Sequence, residues 1–235
     1  MTISASSIVR RATNIIMDET SIRWPAHEVV RWLNDAQRAI VSVRPDAINV
    51  TGTANLATGP RQDLDLMTLA QLPLKLIRAW RNTAAASNKN AVMLTAQHLL
   101  DSQQPNWYQM APSINIQHYM FDPRDPKTFY CYPPAAAGAQ LEINYAAYPT
   151  DIVEPTVGAN YSDVLGNLTV PDIYDGPVLD MVLYRCYLKD SEFAGNQERA
   201  AKHRDAAIAA LGMEIKATLA VQPQLKPGLS SAPGA

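Results

Sequence analysis

The spacing of apolar residues along this 235-residue chain changes twice, and these two changes constrain the fold more than any other feature. Residues 1–45 and 172–220 carry apolar side chains every three or four positions, which is typical of amphipathic helices. Residues 46–150 instead alternate apolar and polar side chains, which is typical of half-buried strands. The pattern predicts an α+β fold, in which a helical bundle from the N- and C-terminal segments holds an inserted antiparallel β domain.

The N-terminal segment predicts two helices. The first begins behind a cap at Ser6 or Ser7 and runs to about Met17, with apolar residues at helical spacing: Ile8, Ala12, Ile15 and Ile16. The second begins at Pro25, because proline at the first helical position removes only an N–H that has no partner there. Its apolar positions form one stripe that we expect to face the core: Ala26, Val29, Val30, Leu33, Ala36 and Ile40.

The middle segment predicts strands interrupted by one short helix. Its first part predicts strands over 48–51, 63–66 and 74–80, then a helix over 91–101. Its second part predicts three strands, over 114–120, 128–132 and 141–145. Proline- and glycine-rich turns separate these last three runs, so we expect an antiparallel meander, followed by a connecting loop over 151–171.

The C-terminal segment predicts two more helices. Between Val178 and Leu188 only Asp180, Arg185 and two tyrosine hydroxyls are polar, so this helix is apolar nearly all round. Such a helix must be covered nearly all round, by neighbours in the same fold or by a second subunit. The last helix, over 197–220, carries one apolar face made of Ala200, Ala207, Leu211, Ile215 and Leu219. The aromatic residues of the terminal segments are therefore candidates for a subunit interface: Trp24, Trp32, Tyr184 and Tyr187.

Residues 221–235 differ in composition from the rest of the chain, since Gln, Pro, Gly, Ser and Ala dominate there. A segment with so few apolar side chains cannot fold by itself, but it can wrap around a partner. The sequence therefore predicts an extended C-terminal arm, with these candidate contact residues: Val221, Gln222, Pro223, Leu225, Lys226, Pro227 and Leu229.

The near-neutral net charge of the chain argues against a protein that binds nucleic acid over a broad basic surface. The chain has 20 Lys and Arg against 22 Asp and Glu, a formal net charge of -2, whereas such binding needs a basic surplus. Charged residues make up 18%, below the usual ~25%, which leaves more surface for burial against partners. Arginines give the N-terminal segment a basic character that suits a solvated helix face, or weak contact with an acidic partner or DNA: Arg10, Arg11, Arg23, Arg31, Arg38 and Arg44.

Membrane and secreted classes do not fit the sequence. No apolar run reaches the roughly 18 residues of a membrane span, and the first residues lack the pattern of a signal peptide. Two cysteines, Cys131 and Cys186, are too few for a disulfide scaffold and are expected to be buried free thiols. We expect a protein that works on the reducing side of a membrane, or in a particle assembled there.

No sequence motif indicates catalysis. The four histidines lack zinc-ligand spacing, and no Cys-x-x-Cys, Gly-x-Ser-x-Gly or phosphate-binding glycine motif occurs. Two aspartate pairs, Asp63 with Asp65 and Asp122 with Asp125, are alternatives for a hard cation, but calcium takes about six to eight oxygens. A solvated strand face and an Asp-Pro turn explain them better. We therefore expect no catalytic residue, no cofactor and no metal.

Three stretches of the chain follow one another in a recognisable order. The first is Trp24-Pro25, then Trp32-Leu33-Asn34-Asp35-Ala36-Gln37-Arg38-Ala39-Ile40 and Arg44-Pro45-Asp46-Ala47. The second is Phe121-Asp122-Pro123, then Thr128-Phe129-Tyr130-Cys131-Tyr132-Pro133-Pro134 and Leu141-Glu142-Ile143-Asn144-Tyr145-Ala146-Ala147-Tyr148-Pro149. The third is Leu183-Tyr184-Arg185-Cys186-Tyr187-Leu188-Lys189-Asp190-Ser191-Glu192, then Ala200, His203 and Leu211-Gly212. In this order they resemble the tailed-phage head-to-tail adaptor proteins (connectors, tail tubular protein A-like), over most of the chain up to about residue 215.

The resemblance implies a virion structural protein without catalysis. It implies a ring, typically a dodecamer, between the portal protein and a tail tube or nozzle protein, around a lumen that double-stranded DNA crosses without sequence specificity. It also implies that the protein assembles in the host cytoplasm, lies in the neck or tail of the virion and has no membrane partner. The β domain would contact the tail. By position alone, the arm at 221–235 corresponds to the segment that family members lay along the portal, so its contact residues become portal-interface candidates.

Two other functions stay open on the sequence. One is a tail-tube or tail-completion protein placed further from the head, which position in an assembled particle would separate from an adaptor. The other is a metal-dependent enzyme, which would need a cleft that joins Asp63, Asp65 and a histidine.

Overall fold

The computed structural model describes the backbone of residues 2–221 and the side chains of residues 2–213. Its helices are α1 (Ala5–Ile15), α2 (Ala26–Val43), α3 (Gln97–Gln103), α4 (Asp175–Lys189) and α5 (Asn196–Val221). Its strands are β1 (Asn49–Asn55), β2 (Gly59–Asp63), β3 (Pro73–Asn82), β4 (Met93–Leu94), β5 (His118–Phe121), β6 (Thr128–Ala135) and β7 (Gln140–Ala147). Along the described chain, helices precede and follow a β-rich middle, so the predicted α+β class is confirmed.

The terminal helices pack around α4, which contacts α1, α2 and α5. Every residue of the apolar stripe predicted on α2 is buried, as the helical spacing indicated. The stripe on α1 is buried at Ile8 and Ala12, whereas Ile15 is about half exposed at its C-terminal end. Full burial of a side chain such as Leu33 or Ile40 contributes about 1.5–3 kcal/mol, so these stripes hold the bundle together.

The first helix begins earlier than predicted. Ser4 occupies the N-cap position of α1, and Ser6 and Ser7 lie inside its first turn. The backbone around Ser4 is held extended by a bridge to Asn167, and the Ala5 N–H donates to the Gly166 carbonyl at 3.1 Å. A contact far along the chain therefore sets the start of this helix, which local sequence signals cannot reveal.

The strands form two sheets, with the orders β1-β7-β3 and β2-β6-β5-β4. Strands β5 and β6 form the predicted antiparallel pair, but β7 does not join them, so the prediction of one meander was wrong. Both edges of β6 are already occupied, by β2 and by β5. Strand β7 instead lies between β1 and β3 and pairs with each of them along almost its whole length.

Two shorter predictions in the β region were also wrong. The strand predicted over 63–66 is a turn of 3-10 helix after β2, because the Asp63 side chain accepts the Asp65 N–H at 3.0 Å and curls the backbone. The helix predicted over 91–101 forms only at Gln97–Gln103. Residues Met93 and Leu94 instead form β4, which pairs with β5 in parallel, and the Met93 N–H donates to the Gln117 carbonyl at 3.0 Å.

Helix α4 is covered mainly by neighbours in the same fold. The helix contacts α1, α2 and α5, and six of its side chains are buried: Val178, Leu179, Val182, Leu183, Cys186 and Tyr187. Met181 and Tyr184 are only partly buried, and Leu188 is exposed, so one side of α4 stays open. On α5, Ala200, Ala207 and Leu211 are buried as predicted, whereas the side chains of Ile215 and Leu219 lie outside the described residues.

Candidate functional site

Helix α2 has two flanks that face in different directions. At 100° per residue, Trp32, Ala36 and Ala39 lie on one flank, and Asn34 and Gln37 lie roughly 160° away on the other. The exposed residues Arg31, Asp35 and Arg38 lie between these flanks, on the outer side of the helix. The two flanks meet different partners within the subunit.

The first flank of α2 forms a groove with α4 and α5, of about 230 Å³. Its apolar lining includes Trp32, Ala36, Ala39, Met181, Tyr184 and Ile208. The Ile208 side chain is 60% exposed, and Asp35, Arg185 and Arg204 contribute charges to the lining. This apolar groove is the open side of α4, and we call it the α2–α4–α5 groove.

The structure places the four candidate interface aromatics in two different environments. Trp32 and Tyr184 are partly buried and line the α2–α4–α5 groove together. Trp24 is buried within the subunit, where its indole N–H donates to the Cys186 carbonyl at 3.0 Å. Tyr187 is also buried, and its ring stacks on that of His203 with centroids 5.6 Å apart. The structure therefore gives Trp24 and Tyr187 a packing role inside the subunit, and leaves Trp32 and Tyr184 on an open surface.

The second flank of α2 holds residues 151–171, the connecting segment. The Asn34 side chain accepts the Ile152 N–H at 2.9 Å and donates to the Ile152 carbonyl at 3.0 Å. The Gln37 side chain accepts the Thr169 N–H, also at 2.9 Å. Buried amide groups thus fasten the connecting segment to α2 along the side that faces away from the groove.

The connecting segment presents apolar side chains to solvent. Val153 is 81% exposed and Val157 is 86% exposed, and Leu165 also projects outward. The connecting segment contains three acidic residues, Asp151, Glu154 and Asp163, and neither Lys nor Arg. The segment therefore carries exposed apolar side chains and no positive charge of its own, while its Asp151 and Glu154 lie in ion pairs with α2.

Ion pairs neutralise most of the N-terminal arginines. Arg31 donates to Glu154 at 2.7 Å, and this hydrogen bond lowers the pKa of the Glu154 carboxyl below its ordinary value. The other pairs also join residues of opposite charge: Arg11 with Asp175, Arg23 with Asp190, Arg38 with Asp35 and Asp151, and Arg44 with Asp46. The helical bundle consequently has mixed charge and does not present these arginines as one basic face.

The aspartate and histidine side chains that could carry chemistry form hydrogen bonds and ion pairs with nearby residues. Asp65 pairs with Lys127 at 2.9 Å, and the Asp122 carboxylate accepts the Arg124 N–H at 2.9 Å within its turn. His203 contacts Asp180 at 2.9 Å. Within residues 2–213 the structure brings together no three His, Cys, Asp or Glu residues that could hold a metal ion. In the described part of the chain, no helix is both long enough and apolar enough to span a membrane.

Both cysteines are free and buried. Burial raises the pKa of the Cys186 thiol to about 12, and it raises the pKa of the Cys131 thiol further. A thiol with so high a pKa carries almost no thiolate at neutral pH, so neither cysteine is a nucleophile in the folded chain.

The sequence was also compared with known proteins. The model of one family, the SU10 adaptor protein family, matches residues 3–227. The chain belongs to the SU10 adaptor protein family. It is accordingly a structural adaptor of a phage and a component of the virion. No curated protein matches the sequence.

Of the portal-interface candidates, only Val221 lies in the described chain, as the last residue of α5. Gln222, Pro223, Leu225, Lys226, Pro227 and Leu229 lie outside the described residues. Sequence reasoning missed Met181 and Ile208 of the groove and Val153 and Val157 of the connecting segment. The two valines, four residues apart in a stretch otherwise typical of a loop, were the available signal.

Proposed function

We propose that this SU10 adaptor is a head-to-tail adaptor of the tail tubular protein A-like type. In this proposal it forms a ring, a dodecamer, between the portal protein and the tail tube or nozzle, and the ring lines the channel for DNA. The observation that carries the proposal is the match to a phage adaptor family across nearly the whole chain, residues 3–227. The proposed role is mechanical, because the ring seals and extends the channel.

The charge of the chain supports a channel through which DNA slides. Each lysine or arginine that neutralises a phosphate adds to the strength of DNA binding, so a lumen rich in free cations would hold the DNA. The net charge here is -2, and five of the six N-terminal arginines form ion pairs within the subunit. A near-neutral surface suits passage of DNA without sequence specificity.

Particles that lack this protein test its place in the virion. An adaptor at the portal is needed to join the head to the tail, so electron microscopy should show DNA-filled heads separate from any tails. A tail-tube or tail-completion protein lies further from the head, and its loss should leave heads with defective tails still attached. The second result would contradict the adaptor assignment and favour the tail function.

The C-terminal arm is proposed to dock on the portal, while the β domain is offered to the tail. A chain that lacks residues 221–235 should keep the folded bundle, because the described core lies before residue 214. It should however fail to bind purified portal rings, in contrast to the full chain. The far-ultraviolet circular dichroism of both chains is the control for folding. Equal binding of both chains to the portal would refute docking through the arm.

A further inference from the structure

A subunit of a closed ring must contact its two neighbours through two different surfaces. Rotational symmetry with more than two copies makes each contact heterologous, so one patch of a subunit meets a second patch of the next. The two patches must face in different directions around the subunit. Helix α2 has this property, because the groove and the connecting segment lie on its opposite flanks.

One surface is an apolar groove, and the other carries exposed apolar side chains. The α2–α4–α5 groove is a concave apolar surface of about 230 Å³, open beside Ile208 and Met181. On the connecting segment the side chains of Val153 and Val157 are almost wholly exposed. Exposed apolar surface next to polar residues is typical of contact sites between proteins.

The two surfaces complement each other in charge. The groove is lined by two arginines, Arg185 and Arg204, and one aspartate. The connecting segment has no Lys or Arg; its Asp151 and Glu154 pair with arginines of α2 in the same subunit, so the acidic charge that it presents to a neighbour is that of Asp163, six residues after Val157. Opposite charges at the edge of an apolar contact steer the partners together and fix their register.

We infer that the groove of one copy receives Val153 and Val157 from the connecting segment of a second copy. This contact repeats from copy to copy and closes the ring of the proposed function, on which the inference rests. The Asn34 and Gln37 hydrogen bonds hold the connecting segment at the opposite flank of α2. Consequently, the valines of a subunit cannot fill its own groove.

Cross-linking in assembled particles tests this contact. Phage are produced with a chain that carries Ala39→Cys in the groove and Val157→Cys in the connecting segment, and particles are treated with a short bismaleimide. The native thiols are buried with raised pKa values, so the introduced cysteines are the reactive ones. We expect a ladder of covalent dimers and higher multimers on a denaturing gel.

The matched control pairs Ala39→Cys with Leu66→Cys. Leu66 is 83% exposed but lies in the β region, so this pair should give no ladder. If the Ala39 and Val157 pair gives no ladder in particles whose electron micrographs show the ring, the inference is overturned while the proposed function stands. If the micrographs show no ring at the neck, the proposed function itself fails.

A second pair of variants covers the case in which the cysteine variants do not assemble. Val157→Lys places a positive charge against the two groove arginines, and incorporation into particles should fall at least about tenfold, since burying an unpaired charge is costly. Leu66→Lys, an equally exposed site, should be incorporated at the level of the wild-type chain. Equal incorporation of both lysine variants would overturn the inference.

Discussion

Replacement of Asn34 by alanine is expected to lower the free energy of unfolding. The side chain is only 6% exposed, and its amide makes both of its hydrogen bonds to the backbone of Ile152, at 2.9 and 3.0 Å. Alanine would leave the buried N–H and carbonyl of Ile152 without partners. The substitution therefore removes both hydrogen bonds by which Asn34 holds the connecting segment on α2.

The size of the effect follows from these two backbone groups. A buried polar group that loses its partner costs about 1–3 kcal/mol. Water will reach part of the space that the shorter side chain leaves, so we expect a total loss of about 2–4 kcal/mol. For a chain of this length, 1 kcal/mol shifts the melting temperature by roughly 2–4 °C. The expected decrease in Tm is therefore about 5–15 °C.

Urea and thermal unfolding, followed by circular dichroism, measure this loss. The control is Asp35→Ala on the next residue of the same helix, where the exposed carboxylate pairs with Arg38 at 3.3 Å. An exposed pair of this kind contributes less than about 1 kcal/mol. If the Asn34→Ala and Asp35→Ala chains unfold at the same urea concentration and temperature, the assigned role of Asn34 is refuted.

Three further predictions concern other parts of the bundle. Trp24→Phe removes the indole hydrogen bond to the Cys186 carbonyl and should lower the free energy of unfolding by about 1–2 kcal/mol; an unchanged urea midpoint would contradict this. Neither Cys131 nor Cys186 should react with a thiol reagent in the native chain, because burial raises the pKa of both thiols. Both should react in denaturant. Fast labelling of the native protein would contradict their burial. The Arg31 hydrogen bond lowers the pKa of Glu154 in the folded state. The pair therefore stabilises the fold fully above pH 4.5, which is the ordinary pKa of the carboxyl. This contribution is lost as the pH falls through the lowered pKa. As the pH falls over that acidic range, the free energy of unfolding of Glu154→Gln should therefore decrease less than that of the wild-type chain. Parallel pH profiles of the two free energies would contradict the role of the Arg31–Glu154 pair.

The sequence predicted the helices better than the sheets, and the reason is physical. On α2 the buried stripe from Ala26 to Ile40 follows directly from the spacing of apolar residues, since a helix satisfies its backbone within itself. A strand must find its partner elsewhere in the chain. The alternation in β6 and β7 shows that both are strands, but it does not show that β2 and β5 already occupy the edges of β6.

The candidate surface was predictable only in part. The excess of apolar residues between Val178 and Leu188 indicated that α4 needs cover beyond what a surface helix receives, and its open side indeed forms a groove. The same signal could not tell Tyr184, on the open side, from Tyr187, which packs inside the subunit. That difference depends on where α5 lies, and helix packing is set by the whole fold.

The structure of the native particle by electron microscopy tests the proposed adaptor ring most directly. We expect a closed ring of this chain between the portal and the tail, in which Val153 and Val157 of each copy contact the groove of the next. We also expect that DNA passes through the lumen of that ring. A position further along the tail, or copies that do not form a ring, would contradict the proposed function.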